Sequence, residues 1–473
     1  MFKRTASKYL KSQSDESLST SKAKAAFDAH RGRKAHPHNA HALEARVRHL
    51  EKLLQAKSAD VEAGYGAVGI SMTENVAIAA ETIPLVHSPS QRRGGPKPPM
   101  LHAFWHLLTA SYVNVLLLVA PFAIWAYVAE WGDIPVFVLN FLTMMPLANI
   151  LGESTEALAY HAGDTIGGLV NATFGNAVEV IIAIFALKSG EVALVQSSLI
   201  GSMLSNMLLV LGSCFMAGHF GGAKESSFSG QGASINMSLL FVSSFTMLVP
   251  SYYQYTKNTT YQHGNTTVAA SEDERAVSIL GLSHISALFL IGMYVLLMVY
   301  QLVTHRAEDE DNSEEEEPEL SLTGSVVALL VATVTVSIFS EFLVSSVDGF
   351  TETANIPKSF VGIILLPIVG NAVEHVTAVK VALKNNMELA MSVAIGSATQ
   401  ISLFVVPVCV VAGWIMGTPM SLAFNAFEAI TYVIGTIIVY VIVADGKSNW
   451  LEGAMLIILY CLIGVALLEI DIN

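Results

Sequence analysis

The sequence predicts an all-α integral membrane protein of eleven transmembrane helices, in which one extra N-terminal helix precedes two inverted-topology five-helix repeats. Three observations favour this class. Of the 473 residues, 53% are hydrophobic and only 14% are charged, against about 25% charged residues in soluble globular domains. The apolar residues also come in uninterrupted blocks about as long as a bilayer is thick, and one 44-residue segment occurs twice.

The composition argues against several other classes of protein. A soluble enzyme or binding domain would not contain apolar blocks of spanning length such as 112–129, 279–303 and 453–468. All three cysteines lie inside apolar blocks, which excludes a disulfide framework and a Cys-based zinc module. The sequence has no His-Glu-x-x-His and no Gly-x-Ser-x-Gly motif, so it does not indicate an enzyme. Nothing in it indicates a cofactor or a nucleic-acid partner.

Charge is distributed unevenly along the chain. Residues 1–100 carry 16 Lys and Arg against 9 Asp and Glu, whereas residues 101–473 carry 9 against 30. The basic arm predicts a cytosolic N-terminus by the positive-inside rule, and its composition favours disorder. Nine of the acids fall in the run 308–319. This run is a solvated loop, a cytosolic screen that concentrates cations near the entrance, or a weak regulatory calcium sensor.

Polar and Gly/Pro punctuation between the apolar blocks divides the chain into five parts. These are a cytosolic arm (1–100), a first transmembrane helix (101–131), a first five-helix repeat (132–305), an acidic cytosolic loop (306–320) and a second five-helix repeat (321–473). The predicted spans are roughly 104–130, 134–160, 165–188, 191–218, 233–252, 276–304, 321–347, 357–384, 387–415, 420–444 and 450–470. This count puts the glycosylation-type sequons at Asn258 and Asn265 on the non-cytosolic side.

A duplicated segment is the most informative feature of the sequence. Residues 175–218 align without a gap on residues 370–413, at an offset of 195, and 16 of the 44 positions are identical. The two copies begin five crossings apart, and because five is odd they enter the membrane in opposite directions. Inverted repeats of this kind are typical of secondary transporters, whose sites lie near the bilayer midplane.

The duplicated motif Gly-Asn-Ala-Val-Glu supplies a candidate site. Asn176 and Glu179 are three residues apart, so a helix places both on one face, and Asn371 and Glu374 repeat the arrangement. A pseudo-twofold relation between the copies predicts that the two glutamates confront each other from opposite helices. Carboxylate, amide and backbone carbonyl oxygens are the ligands that a hard divalent cation prefers.

Glycines, a proline and a histidine flank these groups. Gly175 and Gly370 let the backbone break or approach closely, and Pro367 is predicted to reinforce a break in the second copy. His375 shares the face of Asn371 and is predicted to take part in proton transfer, a buried neutral histidine being the alternative.

A second repeated element, Ile-Gly-Ser, follows each motif. The pairs Gly201-Ser202 and Gly396-Ser397 indicate either close helix packing alone or additional polar support for the site.

Paired glutamates predict exchange chemistry. Two carboxylates in one poorly solvated cavity repel each other, and desolvation favours their neutral forms. A divalent cation binds the ionised forms and displaces protons, so the two ions compete for the same oxygens. Suppose that the site can switch from one side of the membrane to the other only when calcium or protons neutralise the carboxylates. Calcium is then exchanged for protons. Each pH unit across the membrane supplies about 1.4 kcal/mol per proton.

At these residues the chain resembles the cation/proton exchanger family of the calcium/cation antiporter superfamily, especially the vacuolar calcium/proton exchangers of fungi and plants. Residues 169–179 (LVNATFGNAVE) and 370–375 (GNAVEH) are similar to its two signature repeats. The resemblance covers about residues 100–473 and includes the one-plus-five-plus-five helix layout and the acidic segment between the halves. His after the second glutamate separates this family from sodium/calcium exchangers.

The resemblance implies roles for individual residues. Glu179 and Glu374 would be the central cation ligands, helped by Asn176, Asn371 and nearby backbone. Supporting roles are implied for Glu156, on the helix before the first motif, and for Glu341, on the helix before the second motif. A supporting role is also implied for the side-chain amide of Gln400.

The residues and the resemblance together predict an antiporter that moves cytosolic calcium into an acidic organelle in exchange for protons, with the vacuolar membrane implied by the resemblance. A manganese/proton exchanger of the same fold is an alternative, because oxygen ligands suit both ions. A cation channel is the alternative from another class, although a channel needs no titratable pair. The partners would be calcium, protons and the lipid bilayer, and a homo-oligomer stays open.

Overall fold

The structure is a computed structural model that describes residues 100–258, 272–304, 318 and 320–469. Contacts divide the chain into two units, Met1–Gly95 and Pro96–Asn473, and all described residues belong to the second. The predictions for the N-terminal arm, for the two sequons after Asn258 and for the acidic run apart from Pro318 therefore lie outside the described residues.

The described chain is almost entirely helical, which confirms the all-α class. Two two-residue strands, β1 (Ser226–Ser227) and β2 (Lys447–Ser448), form an antiparallel pair. The helices are α1 (Met100–Thr109), α2 (Ala120–Val128, after a 3₁₀ segment Tyr112–Val119), α3 (Asp133–Ala162), α4 (Asp164–Phe174), α5 (Ala177–Lys188), α6 (Val192–Phe220), α7 (Gly230–Asn258), α8 (Glu272–Val299, extended by a π turn Tyr300–Thr304), α9 (Leu322–Ser345), α10 (Val347–Ala354), α11 (Lys358–Leu383), α12 (Met387–Met416), α13 (Ala426–Val443) and α14 (Trp450–Glu469).

The number of membrane crossings depends on two bent helix pairs. Within the described residues, nine helices are long and apolar enough to cross a bilayer. The pair His102–Thr109 with Tyr112–Val128 is bent by 94°, and the pair Ile166–Phe174 with Ala177–Lys188 by 43°. Counting each pair as one span gives up to eleven. The predicted count of eleven and the repeat layout therefore stay predictions.

Local sequence explains where several helices begin and end. Ser321 caps α9 by accepting a hydrogen bond from the Gly324 amide, and Asn386 caps α12 in the same way. Asn425 caps α13 by accepting from the Phe427 amide. Gly417 ends α12 with a φ of +75°, a conformation that glycine adopts at low cost.

Contacts between the connecting segments define one end of the helical bundle, which we call the near face. The strand β1 follows α6 and pairs with β2, which follows α13. Ser226 donates to Asn385 in the α11–α12 turn, at 3.1 Å. His161 Nε2 at the end of α3 lies 2.8 Å from the Leu320 carbonyl oxygen just before α9. These connections therefore share one end of the bundle.

The remaining connections meet at the other end, the far face. Ser251, near the end of α7, accepts from the Phe424 amide in the α12–α13 connection, at 3.0 Å. Lys358 at the start of α11 pairs with Glu191 in the α5–α6 turn, at 2.8 Å, and with Asp348 on α10. The helices thus run between two faces that are each held by their own contacts.

The two copies of the duplicated motif differ in their backbones. In the first copy the chain bends at Gly175 and Asn176, between α4 and α5. In the second copy α11 continues through Gly370 without a break, so the predicted break at Pro367 is wrong. Pro367 lies in the first turn of a regular segment that follows a π turn, Val361–Leu365. At this position its missing N–H is tolerated.

Two further π turns occupy equivalent positions in the duplicated segments. One covers Ser205–Val210 within α6, and the other covers Ile401–Val405 within α12. The offset of 195 places the first turn on residues 400–405. Such turns are rare in proteins overall, but those that occur are often found at functional sites. Both turns lie beside residues of the candidate site.

Candidate cation site

A cavity of about 600 Å³ lies in the half of the bundle next to the near face. Its lining comes from the second halves of α3 and α11, the first halves of α7 and α12, part of α4, the start of α5 and the end of α8. These are the helix halves that adjoin the near face. Its polar lining side chains are Glu156, Asn171, Asn236, Gln301, Glu374, Thr377, Ser392, Ser397 and Gln400.

Glu374 borders this cavity from α11 and is held by α6 and α12. Asn206 donates from its side-chain amide to a Glu374 carboxylate oxygen at 3.3 Å and to the Ser397 hydroxyl at 2.9 Å. Ser397 also hydrogen-bonds to Glu374. Asn206 is fully buried, so the carboxylate is fixed by a group that water does not reach.

Glu179 approaches the second motif from the first one. Its Oε1 atom occupies the space beside the Gly370 backbone that a Cβ would fill. Its Oε2 atom is buried and has no hydrogen-bond partner among the described residues. Gly370 lies one turn before Glu374 on α11, so the structure brings Glu179 to the helix turn that carries Glu374.

The two motif asparagines use their amide hydrogens on the protein and leave their oxygens free. Asn176 donates to Gln400 Oε1 at 2.8 Å, and Asn371 donates to the Ser202 carbonyl oxygen at 3.2 Å. Within the described part of the chain, the Oδ1 atoms of Asn176, Asn371 and Asn206 are buried without a partner. Buried oxygens in this condition are costly unless something binds them.

These groups form a donor set that suits a hard cation. It comprises two carboxylates and the free amide oxygens of Asn176, Asn371 and Asn206. Hard divalent cations bind oxygen ligands of this kind. No group of three His, Cys, Asp or Glu side chains is arranged to hold a metal in the described ranges, so a bound cation would rely on the amides as well as on the carboxylates.

The other predicted site residues fall into different places. Glu156 lines the cavity on α3, about two turns from its near-face end. His375 is half-buried beside Glu374 but does not line the cavity. Gly175 lines the cavity at the bend of the first motif. Glu341 is exposed near the far-face end of α9, and the structure does not bring it to the cavity.

Sequence reasoning missed two buried polar residues. Asn206 lies four residues after Ser202, on the same face of α6, and this spacing was the available signal. It was obscured because its counterpart in the second copy is Ile401. Glu428 on α13 is 3% exposed and accepts a hydrogen bond from Ser197. It lies outside the duplicated segments, so the repeat gave no signal for it.

Comparisons with known proteins agree on the family. The family model described as "Sodium/calcium exchanger protein" matches residues 133–303 and 324–468. The vacuolar calcium ion transporter of Schizosaccharomyces pombe is 40% identical over 368 residues, which cover 76% of this chain and 85% of that protein. The Ca(2+)/H(+) antiporter of Aphanothece halophytica is 40% identical over 367 residues, covering 74% and 94%.

A solved structure is similar in both sequence and fold. The structure of native YfkE aligns with a TM-score of 0.63 and 31% identity, over 76% of this chain and 100% of that one. The chain therefore belongs to the sodium/calcium exchanger protein family and, within it, to the cation/proton exchangers that include vacuolar calcium transporters.

Proposed function

We propose that this protein is a calcium/proton antiporter whose cation site is built by Glu179 and Glu374. The observation that carries the proposal is the Glu179 carboxylate lying against Gly370, one turn from Glu374 on α11, beside buried amide oxygens that have no protein partner among the described residues. The names of the relatives support the choice of ions, since one relative is a vacuolar calcium ion transporter and another a Ca(2+)/H(+) antiporter.

Coupling follows from competition for the same oxygens. Calcium binds the ionised carboxylates, and its arrival displaces whatever protons they hold. With calcium absent, protons relieve the repulsion between the two carboxylates. The site is thus charge-compensated in either of two ways. The transporter changes its facing in these two states and not when both carboxylates are charged and empty, and this rule converts a proton gradient into calcium transport.

The arrangement of the helices supports alternating access. The cavity reaches Glu374 from the near face, whereas tight packing separates the site from the far face. A Cβ on Gly201 of α6 would collide with the Ile363 backbone of α11, and a Cβ on Gly362 would collide with Ser197. This arrangement supports a state that is open only toward the near face. The duplicated segments predict a second state with the mirrored opening.

The near face corresponds to the cytosol under the charge rule applied to the basic N-terminal arm. In this orientation Glu156, on the cavity wall, attracts cytosolic cations toward Glu374. Glu341, near the far-face end of α9, takes the corresponding place in the other state. We propose a multi-pass protein of the vacuolar membrane, in keeping with the vacuolar relatives.

The test is isotopic calcium uptake into proteoliposomes with and without an inside-acid pH gradient, repeated with manganese. We expect gradient-dependent calcium uptake in the wild type and none in Glu179→Gln or Glu374→Gln, each with unchanged insertion and thermal stability. A matched control is Glu352→Gln, which alters an exposed carboxylate on α10. Uptake that ignores the pH gradient would support a channel instead. A preference for manganese would replace the substrate but keep the mechanism.

A further inference from the structure

Glu428 is a buried carboxyl group at the far face that the cation site does not use. It lies in the first turn of α13 and is 3% exposed. It accepts a hydrogen bond from the Ser197 hydroxyl of α6, and the Asn425 backbone, at the cap of the same helix, also hydrogen-bonds to it. In the described part of the chain no Lys, Arg or His forms an ion pair with it.

The position of this carboxyl links it to closure of the far face. Ser197 lies one turn before Gly201 and Ser202 on α6, and it also packs directly against Gly362 of α11. Its neighbour Gln196 donates to the carbonyl oxygens of Ser421 and Ala423 in the connection before α13, at 2.9 and 3.1 Å. These contacts join α6, α11 and the start of α13, which must separate if the far face opens.

The protonation state of Glu428 therefore depends on which face is open. A charged carboxylate that is buried without a cation is costly, whereas a neutral carboxyl group that keeps its hydrogen bonds is not. When the far face opens, α6 leaves α13, and water replaces Ser197 around Glu428. Closing the far face then favours a proton on Glu428, and by linkage a proton from the far side favours closing.

Other titratable groups lie on the elements around α13. Lys358 of α11 pairs with Glu191 and Asp348, and Tyr432, one turn along α13, hydrogen-bonds to Ser402. The end of α7 presents Tyr252 and Tyr253, which have contacts of their own. On α14, Glu452 lies in the first turn at the near-face end, Tyr460 and Cys461 lie in the middle, and Glu469 is the last residue, at the far-face end.

We propose that Glu428 is a second proton-binding site, separate from the cation pocket, which must bind a proton from the far side before that face can close. The proposal rests on the proposed antiport function and deepens it. It makes lumenal protons act twice, once by competing with calcium at the central glutamates and once by allowing closure at Glu428. Glu428, on a helix outside the duplicated segments, would thus control closure of the far face without binding the cation.

Capping of α13 explains part of the position of Glu428, but it does not explain why this residue carries a carboxyl group. Asn425 caps α13 and Glu428 follows three residues later, which is the spacing of a capping box. Glutamine serves the same box equally well. The variant Glu428→Gln therefore keeps the cap and the shape of the side chain while removing only the titratable proton.

The experiment is calcium/calcium exchange in proteoliposomes at saturating calcium on both sides, with the internal pH varied and the external pH fixed. Calcium then fills the central site, so the remaining dependence on internal pH reports the second proton site. We expect wild-type exchange to slow as the internal pH rises, approaching tenfold per unit for one proton. We expect Glu428→Gln to exchange calcium at a rate independent of internal pH, and Glu352→Gln to behave as the wild type.

Each other outcome has a defined meaning. The proposal is overturned if wild-type exchange ignores the internal pH, if Glu428→Gln keeps the wild-type slope, or if a folded Glu428→Gln loses exchange at every pH. Should this variant fail to fold, Ser197→Ala should shift the midpoint of the internal pH dependence by about one unit, and no shift overturns the proposal. If the wild type shows no proton-driven calcium uptake at all, the antiport function itself fails.

Discussion

The carboxylate of Glu179 lies against the backbone of Gly370, in the space that any larger residue would fill with its Cβ. The first residue of the second motif is therefore a glycine because the glutamate of the first motif needs that space. This contact joins the two duplicated segments at their functional residues, and it gives the first prediction.

Gly370→Ala should displace the Glu179 carboxylate and damage the cation site while leaving the helix intact, because alanine is a good helix former. We expect proton-driven calcium uptake to fall at least about tenfold, the effect of losing about 1.4 kcal/mol of binding. The control is Gly292→Ala on α8, where a Cβ would meet no atom within 4 Å. Equal uptake by the two variants would contradict the contact.

The duplicated glycines Gly201 and Gly396 should respond differently to the same substitution. A Cβ on Gly201 would overlap the Ile363 backbone, whereas a Cβ on Gly396 would meet no atom within 4 Å. We expect Gly201→Ala to destabilise the protein by about 1–3 kcal/mol, as overpacking does, and Gly396→Ala to change stability little. Thermal unfolding in detergent measures both. A larger loss for Gly396→Ala would contradict the packing.

Asn206→Ala should weaken calcium binding, because it removes the amide that positions Glu374 and Ser397. A hydrogen bond to a charged group is worth about 1.5–3 kcal/mol, so we expect the KM for calcium to rise about tenfold or more. Asn140→Ala is the matched control, since Asn140 is equally buried but bonds only to its own helix at the Val136 carbonyl. A KM that Asn206→Ala leaves unchanged would remove this residue from the site.

Acidification on the near face should lower the apparent affinity for calcium. Protons and calcium compete for the Glu179 and Glu374 carboxylates, so lower pH favours the protonated and calcium-free site. While protons occupy the site, we expect the KM for calcium to rise about tenfold per pH unit for each competing proton, and the rate at saturating calcium to change much less. Initial uptake rates at several external pH values measure this. A KM that stays constant would show that the two ions do not share a site.

Much of the site could be predicted because the duplication marks it twice. Asn176, Glu179, Asn371 and Glu374 come from identical motifs, and the structure places Glu374 on the cavity wall and Glu179 against Gly370 of the same helix. The backbone around them could not be predicted with equal success. The π turn before Pro367 lets α11 run on through the second motif, and only the contacts across the bundle decide that outcome.

Residues whose role depends on a single copy were missed for a related reason. Asn206 faces Glu374, but its counterpart is Ile401, so the repeat gave no indication of its importance. Glu341 matched a family position, yet its exposed place on α9 separates it from the cavity in this state. The sequence identifies side chains that share one face of a helix. The partner of each side chain on another helix depends on tertiary packing.

The central claim is that Glu179 and Glu374 form one pocket that binds either calcium or protons. Calorimetric titration of the detergent-solubilised protein with calcium, in buffers of different ionisation enthalpy, measures calcium affinity and the protons released per calcium together. We expect the wild type to bind calcium and to release at least about one proton near neutral pH, and Glu179→Gln and Glu374→Gln to do neither. Calcium binding without proton release, or wild-type binding by either variant, would contradict it.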